Sequence, residues 1–445
     1  MMNSSDEQRS PLKPEHSTPA TGPRLDPTIH RRAIALDRID PDAVKVVRRL
    51  MKHDHQAYLV GGCVRDLLLD RRPKDFDVAT SARPGEVRSL FRNCRIIGRR
   101  FRLAHILFAD RKVIEVATFR KDPDEARERE GVDGGPALGG DDDDILIRMD
   151  NVFGEPDEDA ARRDFTINAL FYDLERSEII DYVGGMTDVE RRVVRTIGDP
   201  DIRFREDPVR ILRAIKFASR LDLGIDPDVL DAMVVHREEL ARAARPRLLE
   251  EVFRLLRGGA AHRSTWLMWE TGALSVVLPE LAAFLDDDAP GARAVWQGLQ
   301  AADEIQRSGR VLSDAVLFAV LLGEPLREVA QDADDPGAAI DGLLQPLVER
   351  LVLPRKVRDR VRQAMLVQRK LQTPPRGRAT SLASRDFFAD ALDLYEVGVR
   401  AAGVAADSAL EAWRAAQQLT GTADSPRPRA RRRGGRRRRR VAAEG

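Results

Sequence analysis

The stretch AYLVGGCVRDLLLDRRPKDFDVAT, residues 57–80, constrains the fold of this chain more than any other. AYLV (57–60) is apolar and β-prone and reads as a strand, Gly61-Gly62 as a turn, VRDLLL (64–69) as a helix, and KDFDVAT as a second strand. Phe76 and Val78 are strand formers, so Asp75 and Asp77 fall at i and i+2 on one face of that strand. Carboxylates that close repel and raise one another's pKa, and a divalent cation relieves the repulsion. Mg²⁺ suits such a pair because it takes oxygen ligands and keeps positions for water and substrate phosphates. Glycines between a strand and a helix start let backbone N–H groups come close to a phosphate, and the helix N-terminus adds partial positive charge. Arg65, one turn in, can grip a phosphate with two N–H groups while Asp66 braces it. A lone Gly-Gly is an ordinary tight turn, and a lone Asp-x-Asp is an exposed strand edge. Their succession, with the acids starting ten residues after Arg65, points to a nucleoside triphosphate site built for phosphoryl transfer.

The surroundings continue in the same style. DPDAVKVVRRLM (40–51) predicts a helix capped by Asp40 with Pro41 at its first position. RPGEVRSLF (83–91) predicts a short helix, and RLAHILFA (102–109) and KVIEVATF (112–119) predict neighbouring strands. Residues 121–144, with DPDEARERE, GVDGGPALGG and DDDD, hold too little apolar surface to order themselves and predict a flexible loop. DEDAARRDFTINALFYDL (157–174) predicts a helix running into a strand. From about residue 200 the apolar residues fall three or four apart, as in DPVRILRAIKFASRL (207–221), which is helical spacing.

The fold class expected is an α/β head with a mixed sheet, then an all-α neck and body, then a disordered basic tail. The divisions are a disordered segment 1–35, head 36–190, helical neck 191–260, helical body 261–420 and arginine-rich tail 421–445. A length of 445 residues fits two or three domains, and 42% hydrophobic residues are ample for their cores. Two cysteines, Cys63 and Cys94, exclude a disulfide framework. With no apolar run near the ~20 residues of a membrane helix, and no apolar leader, the expected location is cytoplasmic. The net charge of +1 hides an uneven distribution: residues 427–445 hold ten Arg and one Glu, a local charge of +9 against −8 for the remainder.

LVGGCVRDLLL, KDFDVAT, RRDFTINAL, DYVGGMTD and REDPVRILRAIKF occur in that order between residues 57 and 220. Together they resemble the template-independent nucleotidyltransferases that include the bacterial poly(A) polymerases and the CCA-adding tRNA nucleotidyltransferases. The resemblance implies that Asp75 and Asp77 hold catalytic Mg²⁺ and that Asp164 is the third active-site carboxylate, with Arg162 and Arg163 close to the nucleotide. Gly61, Gly62 and Arg65 would hold the triphosphate. Glu206, Asp207 and Arg210 of EDPVR, with Arg213 beside them, would read the incoming base. The residue types suit that task, since a carboxylate accepts from an exocyclic amine and a guanidinium donates to ring acceptors. The same EDPVR also reads as a helix start. Glu115, acidic on an apolar strand, is the rival to Asp164 as third carboxylate.

Within that family, IIGRRFRLAHILF (96–108) is similar to the poly(A) polymerase branch. Arg99, Arg100 and Arg102 would bring cations to the RNA, and His105 could touch the substrate. The basic tail, with Arg431, Arg432, Arg433, Arg436, Arg437, Arg438, Arg439 and Arg440, suits attraction to any RNA backbone better than recognition of one folded tRNA. Four Trp and four Tyr leave few stacking platforms, so RNA holding is expected to be mainly electrostatic. The activity implied is addition of AMP from ATP to RNA 3′ ends, promoting RNA decay, with ATP, RNA 3′ ends and RNA-decay proteins as partners. The alternatives are CCA or A addition to tRNA and, in another class, an inactive RNA-binding scaffold. Oligomeric state is left open.

Overall fold

In the computed structural model, which describes residues 25–98, 102–121, 152–287, 290–375 and 381–423, the chain divides into two units. One takes residues up to Ala243 together with Glu270–Val276, and the other takes Ala244–Trp269 together with the residues from Val277 onward. The segment expected as a neck, 191–260, is therefore split, its residues up to Ala243 falling with the head.

The first unit is organised by one eight-stranded sheet. Its first half runs β1 (Thr28–Arg31), α1 (Pro41–Lys52), β2 (Ala57–Val60), α2 (Gly62–Leu68), β3 (Asp77–Thr80) and α3 (Pro84–Leu90). Three strands follow, β4 (Cys94–Ile97), β5 (Leu103–Leu107) and β6 (Val113–Thr118). After the segment outside the described residues come α4 (Pro156–Ala161), β7 (Leu170–Asp173), β8 (Glu178–Asp181) and α5 (Gly185–Arg191). The unit continues with β9 (Val193–Val194), α6 (Pro200–Glu206), α7 (Val209–Leu221), β10 (Gly224–Ile225) and α8 (Pro227–Val235). The large sheet has the order β1-β8-β7-β2-β3-β6-β5-β4, and only its β3–β6 pair is parallel. A mixed sheet with helices is what the sequence predicts.

Local signals act as expected at α1. The Asp40 carboxylate accepts from Asp42 N at 2.8 Å and Ala43 N at 3.3 Å, and Pro41 opens the helix. Ala43, Val46, Val47 and Leu50, spaced three or four apart, are buried. With α3, this helix packs over β2–β6, where Val78, Ala104, Ile106, Ile114 and Val116 are buried in alternation. On the opposite face Val60, Ala79, Phe119, Ala160, Ala169, Phe171, Ile180 and Ile197 form a second core. Phe171 is its centre, with ring contacts to Tyr58 at 6.1 Å, Phe119 at 6.3 Å and Tyr182 at 6.0 Å.

Disorder over 1–35 is corrected for part of that span. Thr28–Arg31 pairs antiparallel with β8, Thr28 opposite Asp181 and Arg31 opposite Glu178. The pairing occupies backbone groups along the outer edge of β8, a ladder that side-chain composition does not reveal. Residues 1–24, and residues 122–144 of the expected loop, lie outside the described residues. The chain on either side of that loop is tied together, Lys121 N donating to Val152 O at 3.0 Å.

The second unit is all helix among its described residues. The helix Asp314–Leu321, capped by the Ser313 hydroxyl on Val316 N at 3.2 Å, is buried from Ala315 through Leu321. Glu396, 3% exposed as a side chain, contacts Arg310 at 2.6 Å, Arg400 at 2.9 Å and Arg414 at 2.5 Å. Burial would raise its carboxyl, but the Arg310 and Arg414 contacts outweigh it and bring the pKa down to about 2. No helix among the described residues is long and apolar enough to cross a membrane.

Candidate active site

A single row of side chains crosses the sheet through its strand registers. It runs Ile29, Ile180, Phe171, Val60, Asp77, Glu115, His105, Arg95, each residue directly opposite the next on adjacent strands. Register partners share a face, so one line passes from apolar to ionisable at β3. On the apolar side it runs through the core around Phe171, and past Val60 the row becomes accessible to solvent.

Asp77 stands at that change. Burial raises its pKa first, then the charges of Glu115 and Asp75, and Arg163 offsets part of this, leaving the carboxyl at about 6. The repulsion read from the sequence is present, although its geometry differs. β3 begins at Asp77, and Asp75 is exposed in the segment just before it. Phe76 between them is buried, 8% exposed.

Gly61, the residue before α2, has φ 74° and ψ −128°, a conformation that needs glycine. A Cβ there would also lie 3.2 Å from Arg163 Nη1. The turn places the first N–H groups of α2 next to β2 and β3, and these groups have no acceptor inside their own helix. Cys63, just inside, is buried with its thiol pushed up to about 12, so it stays protonated.

Behind the turn lies a buried polar chain. Arg65, 7% exposed, donates to Asp66 Oδ1 from Nε (2.9 Å) and Nη2 (2.6 Å), and to Asn168 Oδ1 from Nη1 (2.5 Å). Asn168 Nδ2 donates to Asp164 Oδ1 at 3.0 Å. Asp164 also accepts from Phe165 N at 2.9 Å, and its Oδ2 takes Arg213 Nε at 2.8 Å and Arg213 Nη2. Burial would raise the Asp164 carboxyl, but Arg213, Asn168 and Arg210 outweigh it and hold it well below the usual carboxylate range.

DYVGGMTD braces the chain at Thr166. Asp181 accepts from the backbone N–H groups of Val183, Gly184, Gly185 and Met186 at 2.9–3.0 Å. Asp188 takes the Thr166 hydroxyl at 2.7 Å. Gly185 passes so close to Thr166 that a Cβ would sit 2.2 Å from its carbonyl oxygen.

Three family models match the chain in order: the poly A polymerase head domain over residues 57–195, a probable RNA- and SrmB-binding site of polymerase A over 222–285, and the polymerase A arginine-rich C-terminus over 330–444. Poly(A) polymerase I of Salmonella typhimurium is 37% identical over 383 residues, covering 82% of this chain and 80% of that protein. The chain belongs to the poly(A) polymerase family of nucleotidyltransferases. Poly(A) polymerase I of Haemophilus influenzae is 39% identical over 66% of this chain and 64% of its own length. A CCA-adding enzyme of Bacillus velezensis is 34% identical over 54% of this chain and 56% of its own. Among solved structures, the Bacillus stearothermophilus CCA-adding enzyme in complex with CTP superposes with a TM-score of 0.60 at 26% identity, covering 86% of this chain and 83% of that one.

In this poly(A) polymerase family member, the structure gives partners to three of the residues singled out from the sequence. Asp164 is not an open carboxylate, because both its oxygens are engaged by Arg213, Asn168 and Phe165 N. Glu115 is the carboxylate in register with Asp77. Arg65 pairs with Asp66 and Asn168 and keeps its Nη2 beside the turn, where a Cβ on Gly62 would lie 3.6 Å from it.

EDPVR is not one helix. Glu206 ends α6, Asp207 caps it, and Arg210 lies in α7. Glu206 Oε2 accepts from Arg203 Nη1 and Arg210 Nη1, each at 2.8 Å, while Arg203 Nη2 reaches the carbonyls of Arg162 (3.0 Å) and Arg163 (2.6 Å). Arg163 in turn holds Asp159 at 2.8 Å and Asn168 O at 3.2 Å beside Gly61. Arg203, Asn168 and Asp159 were not singled out from the sequence. Asn168 sat inside a recognised motif, whereas Arg203 and Asp159 carried no signal apart from charge. Arg99, Arg100 and Arg431 to Arg440 lie outside the described residues, and Arg102 is exposed.

Proposed function

We propose that this enzyme adds AMP from ATP to RNA 3′ ends without a template, releasing pyrophosphate, and that the tails it makes promote RNA decay. The observation that carries the reading is the change of the cross-sheet row from apolar to ionisable at Asp77, next to the Gly61 turn.

The acids fit a magnesium ion. Among the described residues no group of three or more His, Cys, Asp or Glu forms a ready-made cage, and Mg²⁺ characteristically takes one or two carboxylates and fills its shell with water and substrate phosphates. Asp77, raised to about 6, is a carboxylate that a cation would relieve. Asp75 and Asp77 would hold the ion, which would draw in the triphosphate oxygens and offset their developing charge. Glu115 is the third carboxylate of the site in place of Asp164.

The remaining work is positioning by this chain. The first turn of α2 faces the phosphates with its N–H groups, and Arg162 and Arg163 add charge beside it. The Arg65–Asn168–Asp164–Arg213 chain fixes α2, the 162–168 turn and α7 relative to one another. Glu206 and Arg210 select adenine, the carboxylate accepting from its exocyclic amine. The RNA 3′ hydroxyl attacks the α-phosphate, its proton is lost to solvent, and pyrophosphate departs. Binding of RNA draws on Arg99, Arg100, Arg102 and the basic tail. AMP is favoured over CCA because identity to the poly(A) polymerases runs through 82% of the chain, against 54% for a CCA-adding relative.

The test offers labelled ATP and CTP with two acceptors, an unstructured oligo(A) and a tRNA lacking its CCA end. Long A tails on both acceptors are expected. CTP incorporation that stops at a fixed length on the tRNA alone would overturn the choice. Asp75→Asn should abolish addition while RNA binding persists, and full activity in that variant would remove the metal assignment.

A further inference from the structure

We propose that His105 is a positioning residue for the Glu115 carboxylate, holding one of its oxygens so that the other faces the metal site; this rests on Glu115 being the third carboxylate. Glu115 is 47% exposed as a side chain, on the solvent-accessible half of the sheet. A glutamate that free samples several rotamers, and ordering it costs up to about 2 kcal/mol. Its charge also repels Asp77 on β3, which favours conformers turned out to water.

His105 meets Glu115 on the other flank. It lies directly opposite on β5, and its Nε2 is 3.3 Å from Glu115 Oε1. The ring is well covered, 21% exposed, so its own position is defined by packing. Arg95, opposite His105 on β4, continues the row, which therefore runs acid, acid, imidazole, guanidinium. With Oε1 occupied by the ring, Oε2 is left for the Asp77 side. Carboxylates at metal sites are commonly oriented by such outer partners, whose loss costs about 10- to 100-fold in metal affinity or activity.

A cross-strand pair that only stabilises the sheet would share this geometry, so the test reads metal dependence. Wild-type chain, His105→Ala, His105→Gln and Glu115→Gln are compared by Mn²⁺ binding, followed by the electron paramagnetic resonance of free Mn²⁺, and by Mg²⁺ titration of AMP addition. His105→Ala should raise the metal concentration at half-occupancy about 10-fold or more and lower kcat, with KM for RNA unchanged. His105→Gln, which keeps an N–H near the Nε2 position, should recover most of both. If His105→Ala melts early, His105→Phe keeps the ring bulk without its nitrogens and carries the same expectation.

A metal midpoint and kcat within two-fold of wild type in the variants lacking the nitrogen would overturn the proposal, as would His105→Gln matching His105→Ala. Undiminished activity in Glu115→Gln would instead remove the active-site reading beneath it.

Discussion

Replacing Asp77 by Asn should make the metal-free protein more stable and catalytically dead. Burial, Glu115 and Asp75 raise the Asp77 pKa from 3.8 to about 6 against the partial relief of Arg163. The folded state thus binds this proton more tightly than the unfolded state does, and the ionised carboxylate destabilises the fold above pH 6. That penalty shrinks as pH falls from 6 towards 4 and disappears below both values. The full shift corresponds to about 3 kcal/mol at pH 7.5 and about 1.6 kcal/mol at pH 5. Because Asp77 is only partly covered, solvent screening brings the first figure to roughly 1–2 kcal/mol. Asn keeps the shape and removes the charge, so in EDTA at pH 7.5 the variant should melt roughly 3–6 °C higher than wild type. The gap should narrow by about half at pH 5. Mg²⁺ at a hundred times its Kd would then stabilise wild type by about 2.7 kcal/mol and leave the variant unmoved. Calorimetric melts at the two pH values, with EDTA and with Mg²⁺, measure all of this. A variant less stable than wild type in EDTA at pH 7.5, or a gap no smaller at pH 5, would refute the argument.

Three further outcomes are expected. Asn168→Ala leaves Arg65 and Asp164 each short of a buried hydrogen bond, which should cost about 1–3 kcal/mol in urea unfolding and slow nucleotide addition. Glu396→Gln leaves three partly exposed arginines around a neutral amide and should destabilise the second unit by about 1–3 kcal/mol. Since the Glu396 carboxyl is lowered to about 2 from 4.5, its contribution is present above pH 4.5 and is lost as pH falls towards 2, so in acid melts variant and wild type should converge over that window. Deleting residues 427–445 should weaken RNA binding and flatten its salt dependence, the log–log slope falling by up to about 7 if all ten Arg meet single-strand phosphates.

Much of the head was legible because its signals are local. The Asp40 cap, the Gly61 turn and the alternation along β5 and β6 depend on neighbours a few residues away, and each appears where the sequence places it. β1 was missed because it is held by backbone pairing to a strand about 150 residues distant, which leaves no trace in composition. The repulsion of the Asp-x-Asp pair was legible in the sequence, whereas the larger repulsion on Asp77 comes from Glu115 across the sheet and needed the strand order.

What the sequence determined by itself is most of the head's strands and helices and the motifs that belong to the family, since propensity, capping and turn chemistry are written in adjacent residues. What only the tertiary structure decided is which residues stand beside Asp77. Asp164, in the stronger motif, pairs with Arg213, 49 positions along the chain. Glu115, the rival named from the sequence, is set by strand order and register opposite Asp77 on one side and His105 on the other. Register is fixed by burying Val78, Val116 and Ala104 together on the covered face, and with a side-chain period of two the same choice lines up the ionisable row on the other.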